Sequence, residues 1–278
     1  MVYLKGRNRI LEFQEAADKI SSRVSALDGV VGIVLLGGLS RGFADESSDV
    51  DIIVFLNKTD DDLRRLVGQI GQDEQRRTGI EVDLEVHRLE DFERRRWTEV
   101  DRWDFSIAKV VLDSSGDVNK MISSKLKVPE HFWVRRVVIC AEYMKWYCCP
   151  PNDDASSIAE TSVERGDPVT AHYCINYGLD LLVRTLFALS KTFLPPPKWR
   201  ILYSRDLPWL PTKYEDALGK LLTIKNLSRK EIDRRLGLIR ELWSEVSARI
   251  MKDMALSPET VSRYYIEKVL HQTYSPGR

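Results

Sequence analysis

The 278-residue sequence has only four cysteines, Cys140, Cys148, Cys149 and Cys174. None stands in a C-x-x-C knuckle, which argues against a structural zinc site and a disulfide scaffold. Apolar thiols embedded in helices are the expected alternative. Glycine (15) and proline (11) are too scarce for a collagen-like or low-complexity chain. There is no charge excess: 42 basic residues meet 42 acidic ones. That balance, with 43% hydrophobic residues, excludes a disordered polyelectrolyte and argues against a long nucleic-acid acceptor.

No apolar run approaches the ~18–20 residues that span a bilayer. The longest candidate, Val30 to Leu36, is strand-sized and runs into Gly37-Gly38. Met1-Val2-Tyr3-Leu4-Lys5 lacks the apolar core of a leader. A cytoplasmic protein with no membrane partner is expected.

Hydrophobic periodicity predicts a helix over 8–27, then a turn at Asp28-Gly29. Val30–Leu36 and Val50–Leu56 read as buried strands. A helix over 60–77 is closed by Gly79, and Ile80–His87 alternates strictly as a third strand with one polar face. From about Val128 the pattern turns helical: 130–149, a short helix in 155–165, and one opened by Asp167 as cap and Pro168, running to Lys191. Thr192–Pro211 reads as a proline-rich loop. Helices over 213–227, 228–254 and 257–272 follow, with Ser228 and Glu231 forming a capping box. The fold class is therefore α+β: an N-terminal mixed sheet with helices over 1–125, then an all-α bundle over 126–278.

The chemistry concentrates in Gly37-Gly38-Leu39-Ser40-Arg41-Gly42 and Ser48-Asp49-Val50-Asp51. Two glycines after a buried strand let backbone approach a phosphate. A helix starting at Leu39 or Ser40 would aim its first N–H groups at an anion. Ser40 adds a hydroxyl donor and Arg41 a charged one. Asp49 and Asp51, two apart on a strand, share one face and suit Mg²⁺ held jointly with substrate phosphates. The third strand brings Glu81, Asp83 and Glu85 on one face. Alternation does not choose among them; the middle one, Asp83, is preferred over Glu85 as third ligand or general base.

This pattern resembles the DNA polymerase beta-like nucleotidyltransferase superfamily. Its marks are a glycine-rich turn, an acidic pair on the next strand and a third acid later. The branch with small substrates and a helical second domain, which includes the aminoglycoside adenylyltransferases, is the most similar. Arg165-Gly166-Asp167, Leu186-Phe187-Ala188-Leu189 and Pro197-Lys198-Trp199 are also similar to a bacterial and archaeal family of such proteins. One departure is Leu39, where many members place a serine. The resemblance implies two Mg²⁺ ions, binding of ATP or another NTP, and transfer of a nucleoside monophosphate to an acceptor hydroxyl with loss of pyrophosphate. Asp49, Asp51 and Asp83 would be the catalytic metal ligands, and Gly37, Gly38, Ser40 and Arg41 the phosphate contacts.

Several features elsewhere have two readings. Lys198 can contact phosphate, and Trp199 can stack on a base, or both can sit in a rigid loop. Arg94-Arg95-Arg96-Trp97 reads as a solvated helix face. Trp97, Trp103, Trp133 and Trp146 read as core. Asp167 reads as a cap, and an Arg165–His172 pair as a remote ribonuclease-like spacing. A small hydroxylated molecule is the expected acceptor. The alternatives are a catalytically degenerate binding module, or an antitoxin-type enzyme acting on RNA or protein.

Overall fold

The computed structural model describes residues 7–152 and 154–270. The N-terminal pentapeptide and the last two residues of the helix expected over 257–272 lie outside them. The chain forms two compact units, one ending at Val128 and the other starting at Pro129.

The first unit is a four-stranded mixed sheet in the order β3-β2-β1-β4. Helix α1 (Ile10–Ser25) leads into β1 (Val30–Leu35), the short α2 (Gly37–Arg41) and β2 (Val50–Leu56). Helix α3 (Asp61–Thr78) then crosses to β3 (Val82–Arg88). β1 and β2 are antiparallel because a local connection reverses the chain, whereas the α3 crossover sets β3 parallel to β2. The Asp60 carboxylate caps α3 by accepting from the Leu63 N–H at 2.9 Å, and Gly79, at φ +72°, closes it.

Helices cover both faces of the sheet. Ile33, Leu35, Ile52, Val54 and Leu56 pack with Phe13, Ala17 and Ile20 of α1 and with Val67 and Ile70 of α3. Val34, Ile53 and Phe55 face the other way, against Phe92, Trp97, Phe105, Val118 and Met121. Each buried Val, Leu, Ile, Phe or Met among them contributes about 1.5–3 kcal/mol of transfer free energy. The second layer comes from a stretch where the sequence suggests only a basic helix face at Arg94–Trp97: α4 (Leu89–Arg94), α5 (Glu99–Phe105), β4 (Lys109–Asp113) and α6 (Asp117–Leu126). These elements are short, and their apolar residues repeat too few times to show a period. The expected basic helix face is cut short, since α4 ends at Arg94.

The second unit is helical: α7 (Glu130–Tyr147), α8 (Ile158–Glu164), α9 (Pro168–Leu189), α10 (Pro197–Ser204), α11 (Tyr214–Leu222), α12 (Arg229–Met254) and α13 (Pro258–Tyr264), then a π-helical turn Tyr265–Leu270. Helices α7, α9 and α12 share one core. The expected loop over 192–211 contains α10, because Pro197 at its first position pre-sets helical φ and no breaker follows before Ser204. Ser228 caps α12 as expected, but no capping box forms there. Glu231 instead accepts from the Lys225 N–H and from Arg234, and the Ser228 N–H donates to Asn226 Oδ1 at 3.0 Å. Trp97, Trp103 and Trp133 are buried as expected, whereas Trp146 is exposed and donates to Glu142 Oε1.

At the heart of the helical unit Arg235 is fully buried. Its Nε donates to Leu221 O at 2.9 Å, Nη1 meets His172 Nδ1 at 2.6 Å, and Nη2 donates to Asn176 Oδ1. His172 Nε2 meets Asn226 O at 3.2 Å. The ring is thus a core tie, which disposes of the ribonuclease-like Arg165–His172 pairing; Arg165 is exposed at the end of α8. Asp167 caps α9 through the Thr170 N–H. All four cysteines are free thiols.

Candidate active site

The acidic and glycine-rich segments meet at one end of the first unit's sheet. β1 ends at Leu35, and the Leu36 N–H donates to Asp51 O at 3.1 Å. The next residue opens α2 at Gly37, two residues before the expected start. Gly37 sits at φ +55°, and a Cβ there would fall 1.6 Å from Asp51 Oδ2. Only glycine therefore allows the turn to lie against this carboxylate. Gly38 is equally constrained, since a Cβ would meet Phe43 O at 2.5 Å.

The loop leading into β2 is tied by short polar contacts. Ser48 Oγ accepts from the Asp45 N–H at 2.9 Å and donates to Asp45 Oδ1 at 3.2 Å. Asn8 ties the turn to the start of α1, accepting from the Ala44 N–H and donating to Gly42 O. These contacts lead to Asp49, one residue before β2, and to Asp51 on the strand; Asp49 lies near enough to act on both Asp51 and Asp83. In the parallel ladder Asp51 is paired with Asp83, and Ile53 with Glu85. Side chains paired in this way point to the same face. Asp49, Asp51 and Asp83 thus converge where Ile53 and Phe55, farther along the same face of β2, go under α4–α6.

Electrostatics reflects that crowding. Burial, then Asp49 and Asp83, push the Asp51 carboxyl up to about 6, against an opposing pull from Arg41. Asp83 is also raised, by partial desolvation and then by Glu85 and Asp49. Like charges held together favour a protonated carboxyl or a bound cation. Glu85 is drawn aside, with Oε2 2.7 Å from His87 Nε2.

Ser40 and Arg41 are engaged within the protein. Ser40 Oγ donates to Gly37 O at 3.0 Å. Arg41 Nη2 donates to Asp104 Oδ1 at 2.7 Å, and its guanidinium lies 4.0 Å above the Trp103 ring. Asp104 adds to the negative field on Asp51. The sequence reading took Trp103 as core only and passed over Asp104; the one local signal was Thr98-Glu99-Val100-Asp101, which forms a complete capping box and starts α5. Lys198 belongs to the other unit, on α10, with its ammonium 5.8 Å from the Trp199 ring centre.

Among the described residues, no three His, Cys, Asp or Glu side chains are gathered in a metal-holding geometry. The donor chemistry still fits Mg²⁺, which takes one or two carboxylates and completes its shell with water and phosphate oxygens. Asp49 and Asp51 supply such oxygens, and the raised Asp51 pKa marks a place where positive charge is favoured.

Residues 17–108 match the family model described as a nucleotidyltransferase domain. The glycine turn, Asp49, Asp51 and Asp83 all fall within that span, so this part of the chain is a nucleotidyltransferase domain. No curated protein matches the chain. Among solved structures, a nucleotidyltransferase-like protein from Exiguobacterium sibiricum is similar over 96% of this chain and 82% of its own, at 11% identity and a TM-score of 0.43. The complex of a tri-AMPylated Shewanella oneidensis HEPN toxin with MNT antitoxin is similar over 48% of this chain and 97% of its own, at 18% identity and a TM-score of 0.30. A toxin–antitoxin structure with AMP-PNP gives 47%, 98%, 20% and 0.32 in the same order. No described helix is long and apolar enough to cross a membrane.

Proposed function

We propose that the chain is a Mg²⁺-dependent nucleotidyltransferase that moves a nucleoside monophosphate, AMP from ATP in the first instance, to a hydroxyl of a small molecule. The observation that carries this reading is the register of Asp51 with Asp83 beside a turn that only Gly37 permits. Asp49 and Asp51 would hold Mg²⁺ together with nucleotide phosphates, and Asp83 would add a ligand or take the acceptor proton. Bound there, the metal ions would stabilise charge on the attacking and leaving oxygens of an in-line displacement. Arg41 and the backbone of Gly37 and Gly38 would orient the phosphates, with Ser40 bracing the turn through Gly37 O. The balanced net charge supports a small acceptor over a long polynucleotide.

Thermal denaturation with ATP, GTP, CTP and UTP, each with and without Mg²⁺, tests the nucleotide site. A ligand at a hundred times its Kd stabilises by about 2.7 kcal/mol. A Mg²⁺-dependent shift is expected, and the Asp49→Asn/Asp51→Asn protein should lose it. No shift with any nucleotide would sink the reading. Incubation with α-labelled ATP and hydroxylated small molecules, RNA or protein then tests the acceptor; label on RNA or protein alone would replace the small-molecule assignment.

A further inference from the structure

Arg41 pulls against the burial and the neighbouring carboxylates that raise Asp51. It stands on a five-residue helix whose own packing is slight, with Leu39 its one buried side chain. A long side chain on such a support would ordinarily sample many rotamers. Here it does not have that freedom. Two consecutive residues of α5 hold it, Trp103 beneath the guanidinium plane at 4.0 Å and Asp104 at its edge at 2.7 Å. The Arg41 side chain is 10% exposed and Trp103 4%.

The holder is itself anchored. Thr98 and Asp101 close a capping box at the start of α5. Arg102 donates from Nε to Lys125 O at 3.0 Å and from Nη1 to Trp97 O, tying α5 to the end of α6. Ser106 Oγ donates to Trp103 O at 2.7 Å and braces its last turn. A stacked ring fixes the plane of a guanidinium and a carboxylate fixes its rotation, so together they leave it one orientation. A group fixed before binding loses less entropy when the ligand arrives.

We propose that Trp103 and Asp104 are positioning residues for nucleotide binding, holding the Arg41 guanidinium against the Gly37–Gly42 turn so that the outer phosphates of the nucleotide meet a cation already in place. This rests on reading the turn and the three aspartates as an NTP site. Neither residue is assigned contact with the reacting atoms. Their effect passes through Arg41.

The experiment is equilibrium binding of ATP and of AMP, both with Mg²⁺, to the full chain. The proteins are wild type, Asp104→Asn, Asp104→Glu, Arg41→Gln and the Arg41→Gln/Asp104→Asn double variant. Asp104→Asn should weaken ATP about tenfold and leave AMP nearly unchanged, because only ATP carries the outer phosphates. Asp104→Glu should recover part of the loss. In the Arg41→Gln background Asp104→Asn should add nothing. A role confined to folding would lower both affinities together and would not depend on Arg41. If Asp104→Asn does not fold, Trp103→Phe serves in its place: it keeps an aromatic face, and an intermediate loss of the ATP-over-AMP preference is expected. Wild type that binds neither nucleotide would overturn the site reading and the proposal together. Wild type that binds ATP, with unchanged preference in the variants or additive effects in the double variant, would overturn the positioning role alone.

Discussion

Asp51 and Asp83 are direct partners in the parallel pairing of β2 and β3. They come from segments separated by an 18-residue helix, yet pairing sets them on one face, with Asp49 two residues before Asp51. The consequences can be measured in several ways.

Asp51→Asn should abolish Mg²⁺-dependent nucleotide stabilisation while leaving the fold intact. It should also raise metal-free stability near pH 8. The Asp51 carboxyl sits at about 6 in the folded protein against 3.8 ordinarily. The folded state therefore holds a proton that the unfolded chain releases between those values. This group's contribution favours folding below about pH 4, weakens as pH rises, and is fully unfavourable above about 6. Removing the charge should add about 1–2 kcal/mol at pH 8, less than the full linkage value because the group is only half-buried, and nothing near pH 3.5. Urea denaturation at the two pH values checks it; an equal gain at both would contradict the assignment.

Gly37→Ala should be damaging out of proportion to one methyl group. The new Cβ would overlap Asp51 Oδ2, at a φ of +55° that alanine tolerates poorly. A loss of about 1–3 kcal/mol is expected, together with loss of nucleotide binding. Gly219→Ala is the control: it lies within α11 with open space around it, and should be neutral or slightly stabilising.

Arg235→Met should test the core of the helical unit. Removing the guanidinium leaves Leu221 O, Asn176 and His172 without their partner. A cost of about 3–5 kcal/mol is expected in chemical denaturation, with nucleotide binding retained by whatever fraction remains folded. His172 is held below its ordinary 6.5 by burial and by Arg235. It is neutral in the folded state, so its contribution is present above about pH 6.5 and is lost as pH falls towards the folded value. His172→Asn should flatten that part of the acid limb.

The thiols should be slow to react. Burial pushes Cys140 up to about 11 and Cys149 to about 12, and raises Cys148 and Cys174 as well. Since the thiolate is the nucleophile, a disulfide reagent at pH 8 should label the native protein slowly and all four cysteines after denaturation. Rapid native labelling of two or more would contradict the packing of α7 and α9.

Much of this protein is legible in its sequence because the signals are local. A β-branched run makes Val50–Leu56 a strand whatever surrounds it, and strict alternation makes Ile80–His87 another, which the structure shifts to Val82–Arg88. Gly79, Asp167 and Pro168 mark helix ends because caps are chemistry between near neighbours. The candidate metal ligands Asp49 and Asp51 are visible for the same reason: two residues on a strand is a distance the backbone itself sets.

Tertiary structure decided what depends on residues far apart in the chain. Alternation put Glu81, Asp83 and Glu85 on one face, and only the pairing register set Asp83 opposite Asp51 while His87 engages Glu85. The short elements between Leu89 and Leu126 have too few turns to announce themselves; they exist because the second face of the sheet needs cover. Arg41 looked like a charge beside a phosphate loop. That it lies on Trp103 and is bonded to Asp104, some sixty residues later, follows from α5 packing beside that loop, and no local pattern encodes such a meeting.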